Sequence, residues 1–226
     1  MTTQNVTGVL NCSSGFKIPL SATITDGTEV ALTTDVSYTV TAQNIGDFAP
    51  GQTVVSGLIT AGVNMSYCYI LRKGLILSLV PFAVKGVACG NPALHRAVTL
   101  QPGDQLRVFT MVASGRNASL AVVTNQGVPR IFIGTSAGAS TTQLLDLQTS
   151  NTIGETLNGS VIVQAQFTSI DQALITSVAG GAQVTMSNGN LSGAVPASDV
   201  IIVQPYLTPA SIPVALNFTA QYITSA

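Results

Sequence analysis

His95 is the only histidine of the chain, and with nine acidic side chains it is the material available for acid–base chemistry. Catalysis of that kind needs ionisable groups whose pKa can be shifted inside a cleft. A serine–histidine–aspartate triad at His95 would also need one particular serine among the many in the chain. His95 and Arg96 are expected in an exposed loop between strands. The sequence therefore predicts no enzyme and no catalytic residue.

One local gathering of acidic residues has side chains that could hold a cation. Calcium sites in sandwich loops use carboxylate and carbonyl oxygens, but the chain lacks the D-x-D-x-D-G pattern of a calcium loop. Carboxylates at strand ends often serve only to keep sheet edges soluble. No metal site is predicted, and calcium binding stays an open alternative for Asp26, Glu29, Asp35 and Asp47.

The three cysteines, Cys12, Cys68 and Cys89, lack the close C-x-x-C spacing of a zinc site. Their odd number leaves two alternatives, a Cys68–Cys89 bridge across a hairpin or buried free thiols. Phosphate-binding loops are absent, since neither G-x-x-x-x-G-K-S/T nor G-x-G-x-x-G occurs. We therefore expect no cofactor.

Glycan binding would need aromatic side chains that stack on sugar rings and polar side chains that fix the hydroxyls. The chain has no tryptophan and five tyrosines. A tyrosine in a strand is more often half-buried packing than a sugar platform. The candidate platforms are Tyr38, Tyr67, Tyr69, Tyr206 and Tyr222. A lectin-like glycan-binding module stays the alternative interpretation.

Covalent N-glycosylation is a separate question from glycan binding, because it depends on the secretory pathway. The first eight residues lack the basic and apolar segments of a signal peptide, so no secretory address is expected. We therefore discount modification of the N-x-S/T sequons at Asn5, Asn11, Asn64, Asn117, Asn158, Asn190 and Asn217.

The elements that would position these residues are β-strands. Apolar residues alternate with Thr, Gln, Asn or Ser at 36–41, 106–112, 161–167, 200–204 and 216–223, which is the pattern of half-buried strands. Turn sequences separate the runs at Asp26-Gly27, Pro50-Gly51, Pro102-Gly103, 125–127, Asn158-Gly159 and 187–189. The apolar run 74–84 is too short to span a bilayer and is predicted to be a buried strand.

Helical signals are few, and short helical turns are predicted only at 142–148 or 170–177. The segments 48–52 and 100–104 each place Pro-Gly before an extended run, which is a shared way of entering a strand. No linker divides the chain. We predict one all-β domain over residues 1–226, an antiparallel β-sandwich of jelly-roll (concanavalin-like) type with one or two short helical turns at most.

The segment LQPGDQLRVFTMVASGRNASLAVVTNQG, residues 100–127, resembles the Pro-Gly-Asp strand, turn and returning strand of concanavalin-like sandwiches, notably the glutamic peptidases. Placing residues 158–167 on the strand that carries the catalytic glutamate of those peptidases puts Ser160 at the glutamate position. Their partner glutamine has no equivalent around residues 60–62. The resemblance implies the sandwich fold without the activity.

Charge depletion is the main guide to function. Charged residues make up 8% of the chain against roughly 25% in ordinary proteins, and the formal net charge is -1. This argues against electrostatic binding of nucleic acid. The 46% hydrophobic content argues against disorder. The exterior must then be unusually neutral, as in surfaces that meet other subunits, because interface cores are depleted in charge.

In its richness in Thr, Ala, Ser, Val and Gly and its lack of Trp, the composition resembles that of virion and phage accessory proteins. We therefore expect a non-enzymatic structural subunit, namely a virion capsid, decoration or tail protein. Its expected partners are other copies of the chain and other capsid or tail subunits, with no nucleic acid and no membrane. Its expected location is the virion, with the extracellular space or a host surface as the alternative.

Overall fold

The computed structural model describes residues 3–25, 27–34, 43–61, 65–84, 87–89, 93–110, 116–136, 142–169, 173–177, 183–184, 194–195, 197–205 and 216–219. Backbone contacts group the chain into two compact units, residues 1–111 and 112–226. Because one domain can contain two compact units, the prediction of a single domain over residues 1–226 stays a prediction.

The first unit has two sheets. Its elements are β1 (Thr3–Cys12), β2 (Lys17–Thr25), β3 (Glu29–Leu32), α1 (Ile45–Phe48), β4 (Thr53–Ala61), β5 (Met65–Arg72), β6 (Leu75–Leu79), β7 (Phe82–Val84), β8 (Val87–Cys89), β9 (Ala93–Thr99) and β10 (Gln105–Thr110). One sheet has the order β2-β1-β4-β7-β8, with β9 also paired to β4, and the other has the order β3-β10-β5-β6. Only the β4–β7 pairing is parallel among the described strand pairs. The chain changes sheet after β2, β3, β4, β6 and β9, which is a jelly-roll type of crossing.

Alternation along the strands builds the core of the first unit. Successive side chains of a strand point to opposite faces, so every second residue can be buried. Burial stabilises the fold by about 25 cal/mol per Å² of apolar surface. Fully buried members are Val6, Leu10, Ile18, Ile24 and Ile59 from one sheet and Leu32, Ile70, Leu106 and Val108 from the other.

The second unit also has two sheets. Its elements are β11 (Arg116–Thr124), β12 (Pro129–Ser136), β13 (Thr142–Gln143), β14 (Leu145–Asp146), α2 (Ile153–Leu157), β15 (Ile162–Ser169), β16 (Ala173–Ser177), β17 (Gln183–Val184), β18 (Ile201–Pro205) and β19 (Leu216–Thr219). The sheet orders are β14-β12-β11-β15-β19 and β13-β18-β16-β17. Its core is the cluster of Leu120, Val122, Phe132, Leu144, Ile153, Leu157, Ile162, Ala165, Val195 and Ile201. The predicted all-β antiparallel sandwich with only short helical turns is confirmed.

The two units repeat one pairing scheme. In the first, β1 lies between β2 and β4, and in the second β11 lies between β12 and β15. A register shift interrupts β1–β4 between Asn11 and Cys12, and the equivalent shift interrupts β11–β15 between Val123 and Thr124. The other sheets correspond in the same way, as β3-β10-β5-β6 and β13-β18-β16-β17. The chain therefore repeats these pairings in its two units, while the strands beside β4 and β15 differ, since β7 is parallel to β4 and β19 antiparallel to β15.

The segments that begin with the two helices also correspond in sequence. IGDFAPGQTVVSGLITA at 45–61 aligns without a gap to IGETLNGSVIVQAQFTS at 153–169. Gly46 N donates to Asp104 O at 3.1 Å, and Gly154 N donates to Asp199 O at 3.0 Å. The glycines of the following turns, Gly51 and Gly159, have φ of 80° and 74°. Each helical turn thus docks on the equivalent carbonyl group of its own unit.

Both predicted helical turns are wrong. Residues 142–148 form β13, β14 and a turn, and residues 173–177 form β16. Residue 143 is held by pairing with β18, a strand remote in sequence, and residue 145 by pairing with the preceding strand β12. The helices lie elsewhere, and α2 has a capping box in which Glu155 N donates to Thr152 Oγ1 and Thr152 N donates to a carboxylate oxygen of Glu155. That T-x-x-E signal was present in the sequence and was missed.

Two further expectations need correction. His95, expected in a loop, lies within β9, although its side chain is outside the described part. The run 74–84, predicted to be one buried strand, is two strands, β6 and β7, separated at Val80 and Pro81. Proline has no N–H to donate to a sheet. Leu75, at the start of β6, is 64% exposed. No helix within the described ranges is long and apolar enough to cross a membrane.

Candidate functional site

The outward side of one sheet in the first unit has neutral side chains, namely polar ones and the apolar Val9, Pro19 and Leu58 between them. We define this neutral face by Asn5, Thr7 and Asn11 of β1, Thr23 of β2, and Ser56 and Thr60 of β4. Alternation directs them outward, because the other face of these strands contributes buried residues such as Val6, Leu10, Ile24 and Ile59 to the core.

Side chains of the neutral face bind one another across the strands. Asn11 Nδ2 donates to Ser56 Oγ at 3.1 Å, and Thr23 Oγ1 donates to Asn5 Oδ1 at 3.2 Å. The Oγ1 atoms of Thr7 and Thr60 lie 3.3 Å apart. Such cross-strand pairs fix the rotamers of the groups before any partner arrives.

The neutral face has charged side chains only at its borders. In β1, β2, β4 and β9 the sequence contains two charged residues, Lys17 at the start of β2 and Arg96 in β9, besides His95. Both charged residues are exposed. A partner that covers the centre of the face would therefore bury no ion, which avoids the main cost of desolvation.

The equivalent surface of the second unit is different. By strand register, Ser119 and Val123 occupy the positions of Thr7 and Asn11. Ser119 is 1% exposed, Ala121 6% and Val123 4%, so these three side chains are buried. The open, hydroxyl-rich version is found on the first unit.

A polar cluster on the other sheet of the first unit is centred on Glu29. Arg107 Nε donates to Glu29 Oε1 at 2.9 Å, while Tyr69 Oη lies 3.0 Å from both carboxylate oxygens. Tyr67 Oη donates to Glu29 Oε2 at 3.1 Å, and its ring stacks on Phe109 with centroids 5.1 Å apart. The cluster joins β3, β5 and β10 into one hydrogen-bonded network.

The tyrosines of this cluster do not offer sugar platforms. Tyr67 is 2% exposed and Tyr69 is 4% exposed, so neither ring is open to a ligand. Tyr38, Tyr206 and Tyr222 lie outside the described residues. The prediction that strand tyrosines are packing residues is confirmed for the two that are described.

Burial of the hydroxyls and the negative charge of Glu29 raise the pKa of Tyr67 and Tyr69. The folded protein then holds these protons more tightly than the unfolded chain, so the stabilisation is fully present below the ordinary tyrosine pKa of about 10 and is lost as the pH rises above it. We expect the thermal midpoint to fall steeply above about pH 10. In the Tyr67→Phe/Tyr69→Phe double variant the fall should be shallower when followed by circular dichroism. Equal slopes for the two proteins would contradict this assignment.

A second buried carboxylate closes the Pro-Gly-Asp turn before β10. Asp104 is fully buried, and its two carboxylate oxygens accept from Arg72 Nε at 2.8 Å and Nη2 at 2.7 Å. Gln101 N donates to the same carboxylate at 2.8 Å, and Arg72 Nη2 also donates to Thr99 O at 2.7 Å. Every member bonds within this turn and its neighbours, which gives the group a structural role. The motif was visible in the sequence, but Arg72, 32 residues away, was not identified as its partner.

The acidic residues considered as calcium ligands do not gather at one site among those that the structure describes. Glu29 belongs to the cluster above, whereas Asp47 accepts from Gly103 N at 2.8 Å and from Asn44 Nδ2 at 3.2 Å. Asp26 and Asp35 lie outside the described residues. Within the part of the chain that the structure describes, no group of three or more His, Cys, Asp or Glu side chains could hold a metal ion.

Cys12 and Cys68 are buried free thiols, so Cys68 forms no bridge to Cys89. The side chain of Cys89 is outside the described part. Burial raises the pKa of both described thiols, which keeps them protonated and unreactive. Of the two alternatives left open by the sequence, buried thiols are the one observed for these residues.

A cleft of about 490 Å³ lies beside β12 and β14 of the second unit. Its lining combines the apolar Ile133, Leu145 and Leu147 with the polar Gln143 and Ser150. Asp146 also contributes, but Oδ1 of its carboxylate accepts from the backbone N–H groups of residues 148 and 149, and its side chain is 1% exposed. A lining that combines apolar side chains with hydroxyl and amide groups could accommodate a sugar ring.

Two sequons have exposed asparagines, Asn5 on the neutral face and Asn158 in the turn after α2, while Asn11 is half-buried. Asn64 and Asn190 lie outside the described residues, and the side chains of Asn117 and Asn217 are not described. Ser160, which the peptidase resemblance places at a glutamate position, lies in the turn before β15, where its N–H donates to Leu157 O.

Comparison with known proteins gives no match: no protein-family model, no curated protein and no solved structure is similar to this chain.

Proposed function

We propose that this protein is a non-enzymatic structural subunit of a larger assembly, of the capsid, decoration or tail class of virion proteins. Its partners are other copies of the chain and other subunits of the same particle. The observation that carries the proposal is the neutral face, a surface of hydroxyl, amide and apolar side chains without a charge at its centre.

Such a surface suits association for two physical reasons. No ion has to be desolvated when it is covered, which removes a cost of several kcal/mol per buried charge. Its side chains are already held by cross-strand hydrogen bonds, so fewer rotamers are lost on binding. Hydroxyl and amide groups also accept bridging water, which keeps imperfect contacts favourable.

The described polar groups support a structural role. The cluster of Glu29 and Arg107 and the pair of Asp104 and Arg72 use their hydrogen-bonding atoms within the fold. A catalytic centre needs ionisable groups directed at a substrate. These groups instead tie strands together.

The proposal is tested by the oligomeric state of the full-length chain, measured by multi-angle light scattering over a range of concentrations. We expect oligomers whose dissociation constant changes by less than about twofold between about 0.05 and 0.5 M salt, because screening acts on charges and this contact has few. A chain that stays monomeric at every accessible concentration would contradict the proposal. Association that collapses in salt would also count against it.

A glycan-binding module is the second candidate, favoured by the cleft at Gln143 and Ser150. If it is correct, a glycan array should identify a ligand whose binding is lost in the Gln143→Ala/Ser150→Ala variant. Loss of binding in that variant without any change in oligomeric state would favour this candidate over the assembly role.

A further inference from the structure

The repeated topology allows each surface of one unit to be compared with its counterpart in the other. Thr7 pairs with Thr60 across β1 and β4, and the equivalent pair across β11 and β15 is Ser119 with Thr168. Asn11 with Ser56 corresponds in the same way to Val123 with Gln164. The neutral face therefore has a defined equivalent in the second unit.

The two equivalent surfaces differ in exposure and in chemistry. In the first unit Thr7 is exposed and Asn11 half-buried, whereas their counterparts Ser119 and Val123 are 1% and 4% exposed. Ile131, on the same side of β12, is 1% exposed. These positions are thus buried in the second unit, although Ile133, paired with Ser119 on the same face, is half-buried and lines the cleft.

We propose that the neutral face of the first unit is the contact surface for a second copy of this chain. The inference rests on the proposed assembly function and names the surface and its partner. The positions equivalent to Thr7 and Asn11 are buried in the second unit, whereas the first unit leaves Thr7 exposed and Asn11 half-buried, without acidic side chains on the strands of this sheet.

A second copy fits this surface better than a charged partner does. The centre of the face has no charge to attract an acidic or basic protein, but it also has none that would repel its own copy. Its hydroxyl and amide groups are donors and acceptors at once, so the face can form hydrogen bonds with an identical surface. A contact between identical faces would be twofold symmetric.

The decisive variant is Thr7→Lys. Thr7 is exposed, so the folded monomer should keep its thermal midpoint while the new ammonium disfavours a covered face. We expect the dissociation constant of the oligomer to rise at least about tenfold, and about a hundredfold for a twofold contact in which both copies carry the change. Sedimentation equilibrium of the full-length protein measures the constant.

Two control variants separate charge at this face from other effects. Gln126→Lys adds the same charge at an exposed turn of the second unit and should leave association unchanged. Thr7→Gln adds bulk without charge and should weaken association much less than Thr7→Lys. If the wild-type chain associates and Thr7→Lys associates equally well, the face assignment is wrong while the assembly function stands. A wild-type chain that is always monomeric overturns both.

Discussion

Replacing Gly46 by alanine is expected to destabilise the first unit by about 3 kcal/mol or more, because the new methyl group has no room. A Cβ at this position would lie 2.0 Å from Gln101 O and 2.8 Å from Asp104 N. Both are backbone atoms, so no side-chain rotation relieves the clash. The helical turn would have to leave the carbonyl of Asp104 that its N–H now reaches.

Gly57→Ala is the matched control. Its Cβ would meet Leu10 Cδ2 at 2.6 Å, the end of a buried side chain, and Val9 O at 3.0 Å, and the second unit has Ala165 at the equivalent position. We expect a smaller cost than for Gly46→Ala, because the shortest contact is with a side chain and not with backbone. Urea unfolding followed by tyrosine fluorescence measures both, since the chain has no tryptophan. Equal stability of Gly46→Ala and wild type would contradict the close approach of α1 to the turn before β10.

Removing the carboxylate of Asp104 is expected to cost about 3 to 5 kcal/mol, which is typical when one partner of a buried ion pair is deleted. In Asp104→Ala, Arg72 loses two hydrogen bonds and Gln101 N loses its acceptor. The side chain of Arg72 is 25% exposed, so water can solvate part of the guanidinium in the variant. We therefore expect a loss of stability of about 3 kcal/mol.

Asp47→Ala serves as the control for Asp104→Ala. Asp47 is exposed and also accepts a turn N–H, that of Gly103, but it has no arginine partner among the described contacts. Its loss removes the hydrogen bonds from Gly103 N and Asn44 Nδ2 at an exposed site and should cost about 1 kcal/mol, less than the loss of the buried ion pair. The difference between the two variants in urea unfolding isolates the buried pair. Similar losses for both would show that the ion pair adds nothing.

The strands were predictable because their signal is local. Alternation of apolar and polar residues at 106–110, 162–167 and 201–204 is read from consecutive residues, and these segments are strands in the structure. The segment 36–41 and residues 220–223 lie outside the described residues. Leucines at 144, 145 and 147 misled the prediction because a short run of apolar residues satisfies helical and strand periods about equally well.

The two Pro-Gly segments, which enter their strands in the same way, do not correspond to the repeat. Those segments, 48–52 and 100–104, are adjacent in space, and Leu100 N donates to Gln52 O at 2.8 Å. The true equivalence joins 45–61 to 153–169, where few residues are identical. A sandwich needs only apolar inward positions and suitable turns, so two copies can diverge in most side chains and keep one topology.

The sequence by itself determined the fold class, the neutral exterior and the shortage of ionisable groups. Alternation is a property of consecutive residues, and composition is a count over the chain, so neither depends on tertiary contacts. Tertiary structure alone decided which polar groups meet. Glu29 and Arg107 are 78 residues apart, and only the pairing of β3 with β10 brings them to hydrogen-bonding distance. It also decided which copy of the repeated sheet surface is open, since exposure depends on what the rest of the chain covers.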